Sequence, residues 1–376
     1  MFLAVVWLET GESDIYPNQE CPLRFTINQE GNSMTIMIGI DPHKATHTAV
    51  AVDGEENVLG EIKLGASNLQ VQRLAEWAEP FGRRSWAVES ANGLGYLVSQ
   101  QLVASGETVF DVPAVLASRV RVLDTERSQK TDPNDARSVA IAALRSDRLA
   151  RVRPDDHTRV LRLLAKRHRD MARLRNKHCT RLHALLCELE PGGISTEIIV
   201  NKANQLLERV ETANEVIRHR VIIARELVDD IARLDTTLKT SKQRIRTAVS
   251  ASGTSLCEIR GIGPICAAII VGYTGDVTRF PTKGHYATYN ATAPIEVSSA
   301  NKTRHRLNLR GNRKLNHAIH IAAVSQLRYP GEGRDYYEKK KAEGKTTKEA
   351  IRALKRRISD VVYRHLVSDA QRTATD

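Results

Sequence analysis

The 376-residue sequence predicts an α/β domain at the front, a long helical coiled-coil middle and a mainly α C-terminal domain. Three observations carry this. Between residues 36 and 150, short β-branched runs alternate with stretches of helical period. From 155 to 250, apolar residues recur at threes and fours along two long polar stretches. After 250, helical periods are separated by Gly-Pro and Pro-Gly breaks. The expected divisions are 1–33, an irregular extension; 34–150; 151–250; and 251–376.

Residues 37–53, MIGIDPHKATHTAVAVD, organise the first domain. Ile36, Ile38 and Ile40 alternate with smaller or flexible residues, the period of a half-buried strand over 36–41. Pro42 has no N–H to give and ends the ladder. A second strand is expected at 46–52, and Asp53-Gly54 supplies a turn. Further strands are expected at 57–63, 85–89 and 108–112, and helices at 68–80, 93–105 and 133–147. Three strands come first and βα units follow, which is a mixed sheet. Residues 1–33 are acidic and without clear period, and Met34 and Met37 stand at the start of the first strand. They read as a translation-start extension or a loose tail.

The stretches 155–190 and 203–250 read as two long helices, with Pro191-Gly192-Gly193 breaking the chain between them. In the second, Leu207, Val210, Ile217, Val221, Ala224, Val228, Ile231 and Leu238 mark one apolar stripe. An antiparallel pair follows, packed on itself or against another subunit. The first helix has a basic face: Arg159, Arg162, Lys166, Arg167, Arg169, Arg173, Arg175, Lys177 and Arg181. It reads as a nucleic-acid or partner surface, or as a solvated helix face.

Ile259-Arg260-Gly261-Ile262-Gly263-Pro264 precedes an apolar helix. Two glycines flanking one hydrophobe form a tight hairpin whose N–H groups can grip a phosphate. It resembles the helix-hairpin-helix motif of DNA-binding proteins; a tight αα turn without ligand is the alternative. Ser298-Ser299 stand before a basic run, Lys302, Arg304, His305, Arg306, Arg310, Arg313 and Lys314. A serine among fixed cations is a candidate nucleophile, or simply a phosphate donor. Tail helices are expected at 311–327 and 346–367, with a break at Pro330-Gly331.

Chemistry enters through four acids. Asp41 ends the first strand and Glu89 ends the run Ser85–Glu89. Asp132 and Asp135 stand three apart in KTDPNDARSVA, on one face of a starting helix. Two strand-end and two helix-start carboxylates suit one or two divalent ions, Mg²⁺ (or Mn²⁺), which take hard oxygen ligands and keep waters for a phosphate. The formal net charge is +12, and it is segregated. Residues 37–150 carry −3, whereas 151–250 carry +8 and 301–376 carry +11. Carboxylates that hold metal beside cations that hold phosphate fit a polyanion partner. No apolar run approaches the roughly 18 residues of a membrane span. A signal peptide is not expected. Five cysteines without CxxC spacing read as thiols in a reducing cytoplasm.

Taken in order, these motifs resemble the DEDD transposases of bacterial insertion sequences, a family that includes the Piv-type invertases and the bridge-RNA-guided recombinases. The pattern comprises Ile40-Asp41-Pro42-His43-Lys44, the strand-end Glu89 and the K-T-D-x-x-D-A of Lys130–Ala136. It continues through the G-I-G hairpin, Gly275-Asp276 with Arg279-Phe280, the serine loop, and Arg310-Gly311-Asn312 with Leu315. Ala300 stands where the family has glycine.

The resemblance implies a RuvC-like, ribonuclease-H-type first domain whose metal tetrad is Asp41, Glu89, Asp132 and Asp135. It implies a C-terminal serine that attacks DNA and forms a covalent phosphoserine intermediate. Ser298 aligns best with that serine when Lys302 and Arg304 are the anchors, and Ser299 is second. It implies a dimer or tetramer acting in the cytoplasm on element ends and target DNA. It also implies a structured guide RNA in some members, with Gly261, Gly263, Lys302, Arg304, Arg306, Arg310 and Arg313 as the expected DNA or RNA contacts. Two other readings stand beside it: a hydrolytic RuvC-like nuclease that uses the four acids on water, and an inactive nucleic-acid-binding relic.

Overall fold

The computed structural model describes residues 36–123, 131–146, 149–194, 200–299, 302–306, 308 and 311–375. The expected extension at 1–33, Lys130 and Arg310 lie outside the described residues. The chain divides into two compact units, Met1–Asp155 and Asp156–Asp376.

The first unit holds β1 (Ile36–Pro42), β2 (Thr46–Val52), β3 (Val58–Gly65), α1 (Gln70–Ala78), β4 (Arg84–Glu89), α2 (Tyr96–Ala104), β5 (Val109–Val112), α3 (Ala114–Leu123), α4 (Asp132–Leu144) and β6 (Ala150–Arg151). Its sheet runs β3-β2-β1-β4-β5-β6. β1, β2 and β3 form an antiparallel meander, β4 and β5 run parallel to β1, and β6 returns antiparallel. This is the mixed sheet that the run lengths predict. Asp53 closes the β2–β3 turn by accepting from the backbone N–H groups of Glu55 and Asn57.

The reading of β1 as half-buried needs correction, because both of its faces are covered. Ile38 and Ile40 pack with Ala49, Ala51, Trp86 and Val88 beneath Leu74 of α1 and Leu102 of α2. Met37, Val50, Val52 and Ala87 pack under Ala117 of α3 and Ala136, Val139 and Ala140 of α4. Strands buried on both faces lose the polar alternation. The side chains of Ile38 and Ile40 are fully buried, and each contributes about 1.5–3 kcal/mol. Helix α3 was not expected; its pattern follows β5 after one proline and gives no separate start signal.

The second unit holds α5 (His157–Cys187), α6 (Val200–Leu207), α7 (Glu215–Ala251), α8 (Pro264–Thr274), α9 (Lys283–Tyr289), β7 (Ile295–Ser299), β8 (Lys302–Arg306), α10 (Arg313–Leu327), α11 (Glu332–Ala342) and α12 (Thr347–Thr375). Helices α5 and α7 are antiparallel, as their cross-contacts show: His168 meets Ser241, Arg175 meets Asp235, His178 meets Asp230 and Glu188 meets Arg220. The expected helix at 203–250 is interrupted. α6 ends at Leu207, and α7 restarts where the Asn214 side chain caps Ile217 N–H at 2.9 Å. α11 was also unexpected; its polar, lysine-rich composition buries no residue.

The far end of the pair is held by Leu182, Leu186, Ala203, Leu207, Val221, Val228 and Ile231. Its near end, Leu161, Ala165, Ile245 and Val249, joins one core with α8, α10 and α12. Arg279 lies 4.5 Å over both the Phe280 and the Tyr289 rings, so part of the G-D-x-x-R-F stretch is a packing feature. Among the described residues no helix is long and apolar enough to cross a membrane.

Candidate metal centre and serine hairpin

Sheet register assembles the first unit's site. Asp41 pairs with Thr48, and Thr48 with Lys63. In the parallel pair, Ile40 is opposite Val88, so Glu89 follows beside Asp41. Side chains alternate across a strand, and Ile40 and Val88 face α1 and α2. Lys63, Thr48, Asp41 and Glu89 therefore form a row on the α4 face.

Gly39 determines how close α4 comes to that row. A Cβ there would lie 2.1 Å from the Ala136 carbonyl oxygen and 2.5 Å from the Ala140 nitrogen. The bare backbone of β1 and the small residues of α4 thus allow close contact two residues before Asp41. The Thr131 side chain caps α4 by accepting from Asn134 N–H, and Asp132 and Asp135 fall in its first turn. Acids there are favoured by the helix dipole.

As a result Asp41, His43 and Asp132 each offer a ligand atom, all within 4.8 Å of one another. Asp41 is 8% exposed, and its carboxylate lies 3.7 Å from His43 Nδ1. Lys63 Nζ donates to Asp132 at 2.7 Å. Arg121 of α3 donates to Asp135. Burial pushes the Glu89 carboxyl above its usual range, and the Asp41 and Asp135 charges push it further, against the opposing pull of Arg121 and His43. All four predicted acids therefore share one electrostatic neighbourhood, three of them on a single helix–strand contact.

A divalent cation fits this donor set. Packed carboxylates repel and gain from a cation between them. The Thr48 hydroxyl, directly opposite Asp41, is buried with no hydrogen-bond partner among the described residues. Imidazole nitrogen beside carboxylate oxygen suits Mn²⁺ as well as Mg²⁺.

His43, Lys63 and Arg121 escaped the sequence reading. His43 follows Asp41 by two residues across Pro42, and that spacing is the signal the sequence offers. Asp111 was missed as well. It is a buried strand acid that accepts from Ala91 N–H and Asn92 Nδ2, both at 2.8 Å. It thereby holds the loop after Glu89, where Ser90 adopts φ +49°.

Glu89→Gln is predicted to raise the melting temperature of the metal-free protein by a few degrees and to abolish its stabilisation by added Mn²⁺. The sign follows from the raised pKa. A carboxyl whose folded value lies above its unfolded one contributes stability below the unfolded value, and that contribution is lost as pH rises through the folded one. The neutral amide removes the repulsion at neutral pH. Melting curves with and without Mn²⁺ at pH 7 check both signs.

In the second unit β7 and β8 form a hairpin, with Ser298 opposite Thr303 and Ser299 opposite Lys302. The side chains of Ser298, Ser299, Lys302, Arg304 and Arg306 lie outside the described part of the structure. Gly261 has φ +88°, and a Cβ on it would meet the Ala322 carbonyl oxygen at 2.7 Å. Packing against α10 accounts for this glycine without a ligand. Gly263 is the N-cap residue of α8 and faces open space. Arg313 opens α10 and is exposed.

The sequence matches known protein families in two stretches. Residues 38–191 match the family model described as the DEDD transposase of IS110 type, and residues 253–338 match the transposase IS116/IS110/IS902 family. The chain is 27% identical over 374 residues to a protein of insertion element IS116 from Streptomyces clavuligerus, covering 87% of this chain and 94% of that protein. It is 24% identical to one of insertion element IS110 from Streptomyces coelicolor, covering 87% and 93%. A solved T. thermophilus RuvC in complex with a Holliday junction substrate is similar over 29% of this chain and 93% of its own, at 19% identity and a TM-score of 0.23. With both halves matched in order, this chain belongs to the IS110-type DEDD transposases, enzymes that cleave and rejoin DNA.

Proposed function

We propose that the chain is a metal-assisted serine recombinase of an insertion element. The observation that carries this reading is the convergence of Asp41, His43 and Asp132 beside Glu89 and Asp135, in a chain whose C-terminal half matches a transposase family. Asp41, Glu89, Asp132 and Asp135 would hold Mg²⁺ or Mn²⁺, with His43 as a further donor. The ion's chemistry is Lewis-acid polarisation of the scissile phosphate. Lys63 and Arg121 fix Asp132 and Asp135 in place.

Ser298 Oγ would attack the scissile phosphorus. A new P–O ester forms, the bond to the deoxyribose oxygen breaks, and that oxygen leaves as a hydroxyl carrying the proton the serine gives up. The phosphoserine keeps the bond energy, so attack by another strand's hydroxyl rejoins DNA without a nucleotide cofactor. Exposed Lys166, Arg167, Lys177 and Arg181 on α5, with the Lys302–Arg313 stretch, form the surface for element DNA and, in this reading, for a guide RNA. The working form is a homo-oligomer acting at the nucleoid.

The test is a trapping assay with element ends, divalent metal and any co-transcribed RNA. We expect a DNA-linked protein band that survives denaturant and is lost in Ser298→Ala. Loss in Ser299→Ala instead would move the nucleophile by one residue. Cleaved DNA without linked protein, unchanged in both variants, would contradict the serine mechanism and leave a hydrolytic nuclease.

A further inference from the structure

The second unit carries a cationic cluster that the acids and the serine hairpin do not account for. Its centre is Lys355 of α12, whose Nζ donates to Asn316 Oδ1 of α10 at 2.6 Å. Asn316 Nδ2 in turn donates to the carbonyl oxygens of Asn290 and Ala291, each at 3.0 Å. The Asn290 side chain donates to Ser359 Oγ of α12 at 2.7 Å. These bonds tie α10 and α12 to the segment that leads into β7, the strand bearing Ser298.

The same bonds gather charge. Arg313, His317 and His320 lie three or four residues apart on α10, on one side with Asn316. Arg352 stands one turn before Lys355 on α12. Arg169 arrives from α5, its Nε buried without a hydrogen-bond partner among the described residues.

Burial holds the Lys355 ammonium down to a pKa of about 8, with Arg352 and Arg313 lowering it further. Burial also lowers His317, followed by Lys355 and Arg169, and it lowers His320, followed by Lys355 and His317. The charged groups acting on all three are cations and imidazoles. Arranging them this way costs free energy that a bound anion returns.

We propose that Lys355, with Arg169, Arg313, His317, His320 and Arg352, forms a phosphodiester-binding site at the root of the serine hairpin. It grips a backbone phosphate of the nucleic acid on which the hairpin acts. The inference rests on the functional reading above and assigns it a grip that neither the metal centre nor the serine supplies. Phosphate contacts fix register and carry no sequence information, so the grip serves element ends and target alike.

The experiment measures binding of the full-length protein to a labelled 30-base-pair duplex of the element end, and separately to an RNA hairpin of similar charge, across a salt series. Lys355→Met is expected to weaken binding about tenfold near 0.1 M salt and to lower the salt slope by about one. Arg169→Gln should act in the same direction. Lys339→Met, on the exposed face of α11, should stay within about twofold of wild type. The melting temperature of Lys355→Met should be unchanged or higher, because the substitution removes a charge held against other charges. A merely structural lysine would lower melting temperature and affinity together.

Weakening on the duplex identifies a DNA phosphate, and weakening on the hairpin alone identifies an RNA phosphate. Wild-type affinity and slope for both Lys355→Met and Arg169→Gln would overturn the proposal. Protein that binds duplex through Lys355 yet cleaves it without a linked band, equally in Ser298→Ala and Ser299→Ala, would leave this site standing and sink the serine mechanism instead.

Discussion

Asp41→Asn is expected to abolish strand cleavage, by about 10³-fold or more, while duplex affinity stays within about twofold. The loss corresponds to roughly 4 kcal/mol of transition-state stabilisation. Asp41 is the most buried of the four acids, it contacts His43, and it sits opposite the Thr48 hydroxyl, which has no partner among the described residues. Asparagine keeps its shape and removes the charge that a divalent cation needs. Binding should survive because the cations proposed to meet phosphate lie on α5, α10 and α12, not among the acids. Cleavage rates by gel and affinity by anisotropy, on the same preparation, check the separation. Equal loss of both would mean that Asp41 is a folding residue.

Gly39→Val is expected to be the most destabilising single change in the first unit. The added Cβ overlaps the Ala136 carbonyl oxygen and the Ala140 nitrogen. These are backbone atoms that no rotamer change can move, so α4 must lift off the sheet. The cost should exceed about 3 kcal/mol, and at about 2–4 °C per kcal/mol the first transition should fall by roughly 10 °C. Lifting α4 also carries Asp132 and Asp135 away from Asp41, so metal-dependent stabilisation should vanish with it. Gly54→Ala is the control: a Cβ there meets nothing within 4 Å, and its effect should stay within about 0.5 kcal/mol. Thermal melting of both variants with and without Mn²⁺ provides the check.

The strands and the four acids were legible because each depends on local chemistry. β-branched runs ended by Pro42, by Asp53-Gly54 or by a carboxylate define β1, β2 and β4, and Asp132 and Asp135 needed only a helix period to share a face. What was not legible depends on contacts distant in sequence. Lys63 reaches Asp132 across 69 residues, and nothing near either residue announces it. Arg121 reaches Asp135 from α3, whose start is hidden behind β5. Gly39 reads locally as a weak spot in a strand, and its meaning appears only when α4 lies over it. The split between α6 and α7 turned on a single cap, Asn214, inside an otherwise continuous apolar stripe. The cluster around Lys355 combines helices almost two hundred residues apart, so the sequence shows it only as scattered basic residues.

The measurement that bears most directly on the metal centre is anomalous diffraction from crystals of the protein grown with Mn²⁺ and a duplex of the element end. The predicted result is a Mn²⁺ peak bounded by Asp41, His43 and Asp132, with Glu89 and Asp135 around it, lost in Asp41→Asn crystals grown in the same way. Mn²⁺ bound elsewhere in a cleavage-competent complex, with Asp41 and Asp132 still held by protein side chains alone, would contradict the assignment of these acids to metal.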